Sequence, residues 1–380
     1  MIMGQIKSNK LNAAKNSPHK RESNLELFRI ITMLLIVAHH YVVNSGLTAV
    51  DGPVYSAPAS KASIFLFLFG AWGKIGINCF VMITGYFMCK SQITAKKFAK
   101  LVGEWLLYRY AIHLIFIITG YEALTLKSII EIIVPITNIS QNFTSCFVVF
   151  WLFIPFLNIL ISHINERQHF YLLLLAGFTY VFLGTAHRVT MNYVSWFIVL
   201  YLIASYIRIY PKKWMDSIAV TAIMLILSVL VSAASVVVCA KIGKNAFLFV
   251  TDSNTFLAVM VGVFAFLFFK NIKIPHNKLI NTIAASTFGV LLIHAHSDAM
   301  RQWLWKDTLD NVGHYGDKYM PLYAIGCILC VFIVCVIIDV IRINLLEKPF
   351  FKLWDKHWER FANWFANKEE LLFRRLNINK

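Results

Sequence analysis

Ten apolar runs, most of them close to the ~20 residues that a bilayer-spanning helix needs, punctuate the 380-residue chain. They lie at 26 to 47, 64 to 88, 101 to 120, 144 to 164, 169 to 185, 193 to 210, 217 to 240, 255 to 269, 282 to 300 and 321 to 343, the fifth and eighth being short. Wound as a helix rising ~1.5 Å per residue, such a run crosses a hydrocarbon core ~30 Å thick. It must be helical there, because lipid offers no partner to an open N–H or C=O. The expected fold is an all-α integral membrane protein with about ten transmembrane helices. Only 14% of residues are charged against 58% hydrophobic, too little polar surface to clothe a water-soluble globule.

The formal charge of +17 invites a nucleic-acid reading, which its distribution argues against. Counted through successive segments, 23 lysines and arginines fall in the two tails and the even-numbered loops, and eight in the odd-numbered loops. By the positive-inside rule this places both termini in the cytoplasm of a multi-pass cell-membrane protein, with membrane lipids rather than nucleic acid as the partner of the basic segments. Three regions follow: a basic cytoplasmic tail over 1–24, a ten-helix membrane domain over 25–345, and a basic C-tail over 346–380. The C-tail alternates aromatic and basic residues at helical spacing, as expected of an amphipathic helix lying on the inner leaflet. With no cleavable signal in view, the first span is expected to act as a retained anchor. Two outer segments, 121–143 and 301–320, have the composition to shape a vestibule, and the first carries sequons at Asn138 and Asn142. Six of the seven cysteines fall within spans, Cys327-x-x-Cys330 included, and read as apolar packing.

A charge inside the hydrocarbon region costs roughly 2.5 to 3.5 kcal/mol even on lenient scales, so each one demands a reason. Arg29, Lys74 and Arg109 lie within spans. From Arg29 to His40 is eleven residues, a rotation that returns to within about 20° of its start while rising roughly 16 Å. Glu26, Arg29, Met33, Ile36 and His40 therefore form one stripe, with an ion pair at the cytoplasmic end and an imidazole deeper in. A polar cavity suits this stripe better than lipid. His39, turned by about 100°, is expected to face a neighbouring helix or lipid. Two roles fit His40, a hydrogen bond between helices or a proton-accepting base.

The stripe resembles a known signature. "RESNLELFR", with its eleven-residue step to His40, is similar to the R-x3-L-[DE]-x-L-R-x10-H opening of the acyltransferase-3 family of integral membrane acyltransferases, with Phe28 in place of leucine. "GINCFVMITGYFM", "KKFAKLVGEWLLYRY", "SWFIVLYLIASYI" and "ASTFGVLLIHAHS" resemble later family segments in the same order, so the likeness spans nearly all of residues 21 to 345. It implies transfer of an acyl group, most often acetyl, from cytoplasmic acyl-coenzyme A to a hydroxyl of a surface polysaccharide or its lipid-linked precursor. By position it makes His40 the essential histidine, Arg29 its basic partner, and Arg109 a contact for coenzyme A phosphates.

Imidazole supplies the base that such a transfer requires, and guanidinium binds phosphate bidentately. No G-x-S-x-G elbow or Ser-His-Asp set is in place for a serine acyl-enzyme, so direct transfer with His40 as base is expected, an acyl-imidazole being the other route. Glu26, Arg109, Trp196, Tyr201 and His294 form the expected substrate- and coenzyme-binding set. His113 could join the cavity, Lys74 reads first as an interfacial anchor, and Asp339 and Arg342 as a structural pair. His294 and His296 lack a well-placed third ligand, so no metal site is expected. A transporter or flippase of a glycan precursor is the main alternative, and a scaffold within an assembly complex a third. Without an extracytoplasmic domain of its own, the chain would take its acceptor directly or pass the acyl group to a separate outer partner.

Overall fold

A computed structural model describes residues 22–134, 142–187, 192–250 and 252–375. The N-tail basic residues, the sequon at Asn138, Arg188 and Lys380 lie outside them. Among the described residues every regular element is helical. Each apolar run coincides with a helix: α1 (Ser23–Val43), α2 (Lys61–Met88), α3 (Ala95–Ile118), α4 (Phe143–His163), α5 (Glu166–His187), α6 (Tyr193–Ile209), α7 (Ile218–Lys241), α8 (Phe256–Asn271), α9 (Lys278–His294) and, after a short helix α10 (Asp298–Thr308), α11 (Met320–Arg342). By length and composition, seven of the described helices can cross a membrane, α6 and α8 being shorter apolar helices.

The ninth run departs from expectation. Its hydropathy implies a straight span over 282–300, but α9 ends at His294 and α10 leaves at 94° to it. The local sequence explains the break. Ser297 is extended and its hydroxyl accepts from the Met300 N–H, so it caps a new helix and cannot continue the old one. Side-chain caps begin most other helices in the same way. Asn165 and Gln168 form a capping box on α5, and Thr94, Asn142, Asn192, Ser217 and Asn277 each accept from a first-turn N–H.

The second half of α2 is the hub, flanked by α1, α6 and α8. Small residues let the backbones close up there, as between membrane helices generally. A Cβ on Gly76 would sit 2.7 Å from the Ile36 side chain of α1. On the outside, α4, α7 and α11 present large apolar side chains such as Leu152, Phe156, Ile223, Leu230, Leu322 and Ile333, as a lipid-facing surface requires. Helices α1 and α9 run parallel. At one end Ser23 accepts from the Asn277 N–H at 2.9 Å and donates to Asn281 at 3.1 Å, and at the other His40 meets His294. Beyond α11 a π-helical turn (Ile343–Glu347) leads into α12 (Lys348–Arg375), where Trp354 and Trp358 stack at 4.8 Å.

Candidate active site

Toward the His40 end of α1 lies a cavity of about 260 Å³ walled by α1, α2, α3, the first turns of α4 and α6, and the α9–α10 break. Met33, Ile36 and His40, three members of the expected stripe, line it. The other two do not. Arg29 lies lower on α1, its guanidinium 4.0 Å from the Glu26 carboxylate, and neither residue reaches the cavity. The stripe is thus divided into an ion pair at one end of the helix and an imidazole at the other.

His40 is held by a directional chain. His294 Nδ1 lies 2.6 Å from the Val290 carbonyl, which can only accept, so that nitrogen carries the proton. With His294 neutral, its Nε2 is an acceptor, and His40 Nδ1, 2.9 Å away, donates to it. The remaining nitrogen of His40, Nε2, keeps its lone pair, as a base requires. His294, expected in the substrate-binding set, is fully buried and does not line the cavity; it meets His40 from behind the wall. His39 also lines the cavity, although the helical rotation points it to a neighbour or lipid. It donates from Nδ1 to the Gly70 carbonyl at 2.7 Å. The neighbour is α2, and Gly73 makes the approach feasible, since a Cβ there would fall 2.1 Å from His39 Cβ.

Around these imidazoles the charge has one sign. Lys74, Arg109 and Arg301 line the cavity, as does His296, and no carboxylate does. Lys74 donates to the Tyr193 hydroxyl at 3.0 Å, so the residue expected as an interfacial anchor belongs to the wall. Arg301 pairs with the exposed Asp298 at 2.8 Å. Asn44 Nδ2 and Arg301 Nε are buried without hydrogen-bond partners in the described structure. Unmet donors of this kind call for an acceptor-rich or anionic ligand. His113 stands behind the wall, bonded to Glu122 at 2.9 Å with its ring 4.6 Å from that of His296. Among the described residues no group of three or more His, Cys, Asp or Glu is placed to hold a metal ion.

Trp196 and Tyr201 stand apart from the cavity. Both are fully buried. The Trp196 indole donates to Asn78 at 3.0 Å, and the Tyr201 hydroxyl donates to Asn158, so they tie α6 to α2 and α4. Sequence reasoning passed over Asn44, Tyr193 and Arg301. Arg301 and Asn44 fall at or beyond span ends, where polar residues are ordinary, and only the turn into α10 brings Arg301 over the cavity.

An imidazole and three cations in one enclosure have the chemistry to accept a proton from a hydroxyl and to stabilise a developing oxyanion. No curated protein and no solved structure matches the chain. The acyltransferase-3 family model, an acyltransferase domain, matches residues 22–340. It covers most of the chain and every wall of the cavity, and the protein therefore belongs to the acyltransferase-3 family of membrane acyltransferases.

Proposed function

We propose that this membrane acyltransferase is an O-acetyltransferase, with acetyl-coenzyme A as cytoplasmic donor and a hydroxyl of a surface glycan or its lipid-linked precursor as acceptor. The observation that carries the reading is the hydrogen-bonded chain Val290 carbonyl, His294, His40, which ends on a cavity whose described lining is cationic and neutral; with both imidazoles neutral, His40 Nε2 holds a lone pair there. The acceptor hydroxyl gives its proton to Nε2 as its oxygen attacks the thioester carbon. The tetrahedral oxyanion forms among Lys74, Arg109 and Arg301. The C–S bond then breaks, and His40 returns the proton to the departing sulfur, so the products are the ester and the free thiol. In this reading the chain crosses the bilayer ten times with both termini in the cytoplasm, and the cavity lies toward the outer ends of α1 and α9.

The test follows radiolabelled acetyl-coenzyme A in the purified protein in nanodiscs. Replacing His40 by Ala should lower label transfer and coenzyme A release by about 10²- to 10⁴-fold. Equal loss from His39→Ala and none from His40→Ala would move the base to the neighbouring residue.

One observation favours a second reading, movement of a glycan precursor across the membrane. Broken helices beside a polar cavity are a habit of transporters, and α9 and α10 are bent by 94° at a break. That reading predicts translocation of a labelled lipid-linked glycan without any acyl donor, and no effect of the donor on it.

A further inference from the structure

Helix α3 ends in a turn that folds back on its own last residues. Gly120 has φ +72°, the left-handed conformation that favours glycine, and the chain reverses there. The Tyr121 N–H donates to the Phe116 carbonyl at 2.9 Å and the Gly120 N–H to that of Ile117 at 3.1 Å, while the Tyr121 and Phe116 rings pack at 5.4 Å. These are the two hydrogen bonds and the apolar contact of a Schellman cap. The reversal delivers Tyr121 and Glu122 onto side chains beside the cavity.

Each of the two has its own target. Glu122 accepts from His113 Nδ1 at 2.9 Å, and the buried His113 ring stands at 71° to that of His296 in the cavity wall, 4.6 Å away. The Tyr121 hydroxyl donates to Asp307 of α10, which also accepts from Gln302 at 2.8 Å, and Phe116 packs on Trp303 at 6.1 Å. Helix α10 in turn carries Arg301 into the lining. One turn therefore holds both ionisable cavity groups of the α9–α10 break, His296 through an imidazole and Arg301 through the helix that bears it.

The steps of acyl transfer leave the Glu122–His113 pair unused. Drawing a carboxylate and an imidazole out of water costs free energy that the cap does not require, since its backbone bonds close the helix without them. What the held groups face follows from the rest of the lining. Asn44 Nδ2 and Arg301 Nε are buried donors without hydrogen-bond partners, and Tyr193 adds an aromatic ring. Donors for ring and hydroxyl oxygens in one enclosure with an aromatic side chain suit a sugar.

We propose that His296 and Arg301 hold the acceptor's sugar ring, and that Glu122 and His113 are positioning residues that set His296 for it. The inference rests on the acyl-transfer reading above and names the acceptor's seat within the same cavity.

The test follows radiolabel from acetyl-coenzyme A in the full chain in nanodiscs, both to methyl glycosides of glucose, galactose, mannose and N-acetylglucosamine and to water as acetate. In Glu122→Ala the ratio of kcat/KM for the best glycoside to the rate of hydrolysis should fall about tenfold, the size expected when one hydrogen-bonding group is misplaced. Glu122→Gln, which keeps an acceptor for His113 Nδ1–H, should recover most of that ratio. In wild type a diazirine-bearing glycoside should crosslink within 296–301. Equal loss of both reactions in a folded Glu122→Ala protein makes the pair a helix tie and overturns the inference, as does an unchanged ratio. Ester on no glycoside, or crosslinks only elsewhere, with His40-dependent release of coenzyme A intact, overturns the sugar's seat and leaves acyl transfer standing. Absence of His40-dependent release by wild type overturns both readings.

Discussion

Helix α3 carries two groups of buried charge built in opposite ways. On its first half, Lys100 and Glu104 join a network that reaches α11. Arg342 contacts Asp339 at 2.7 Å, Glu104 at 3.3 Å and Glu347 at 2.8 Å, while Lys100 meets Glu347 at 2.6 Å. Five residues beyond Glu104, Arg109 lines a cavity where cations stand together and, among the described residues, no carboxylate joins the lining. The first group is closed on itself and spends its charge holding α3 against α11. The second faces open space, and among its cations Arg301 pairs with Asp298 outside the lining. The two groups differ in the balance of sign around their charges.

That contrast can be broken from either side. The largest effect on stability belongs to Arg342→Met, which leaves three carboxylates facing Lys100 alone. It should cost about 3–5 kcal/mol, read as a lowered midpoint of thermal unfolding in detergent. A shift as small as that of an exposed substitution would mean that the network is not holding the helices. His294→Ala acts on the other group. It should leave unfolding little changed beyond the cost of its cavity but reduce transfer by about 10²-fold, because His40 loses the acceptor that fixes its tautomer. The pH–rate profile should shift as well, which loss of packing alone would not produce. Lys74→Met removes a cation from the wall together with its hydrogen bond to Tyr193. It should lower kcat/KM by about tenfold in a titration against acetyl-coenzyme A. Unaltered kinetics would return Lys74 to an interfacial anchor. The smallest effect is that of Tyr201→Phe, which removes one buried hydrogen bond to Asn158. It should cost about 1 kcal/mol of stability and leave turnover at the wild-type level. A specific loss of turnover would restore Tyr201 to the substrate-binding set.

Within α1 the same distinction runs along a single helix. The spacing places Arg29 and His40 on one face, and the helix honours that geometry over Met33, Ile36 and His40. It cannot tell how far the cavity extends down the face, and the cavity stops short of Arg29. His39 shows the complementary limit. Its rotation from His40 is fixed by the helix, but whether that direction meets lipid or a cavity wall depends on α2, and Gly73 brings α2 close enough to make it a wall.

What the sequence determined by itself is whatever rests on local chemistry. Apolar length set the helices, Asn, Ser and Thr at run edges set their starts, and the scarcity of charge within spans singled out His40 and Arg109. The Asp339–Arg342 pair was legible for the same reason, being one turn apart on one helix. Only the tertiary structure decided the partners. His40 and His294 are 254 residues apart, and the direction of the proton between them follows from a backbone carbonyl of α9. Lys74 meets Tyr193 across 119 residues, and Arg301 arrives through a break that hydropathy reads as a continuous span. Periodicity reports which face of a helix is polar. Which other polar faces it meets is set by how helices pack against one another, and that is where the site is made.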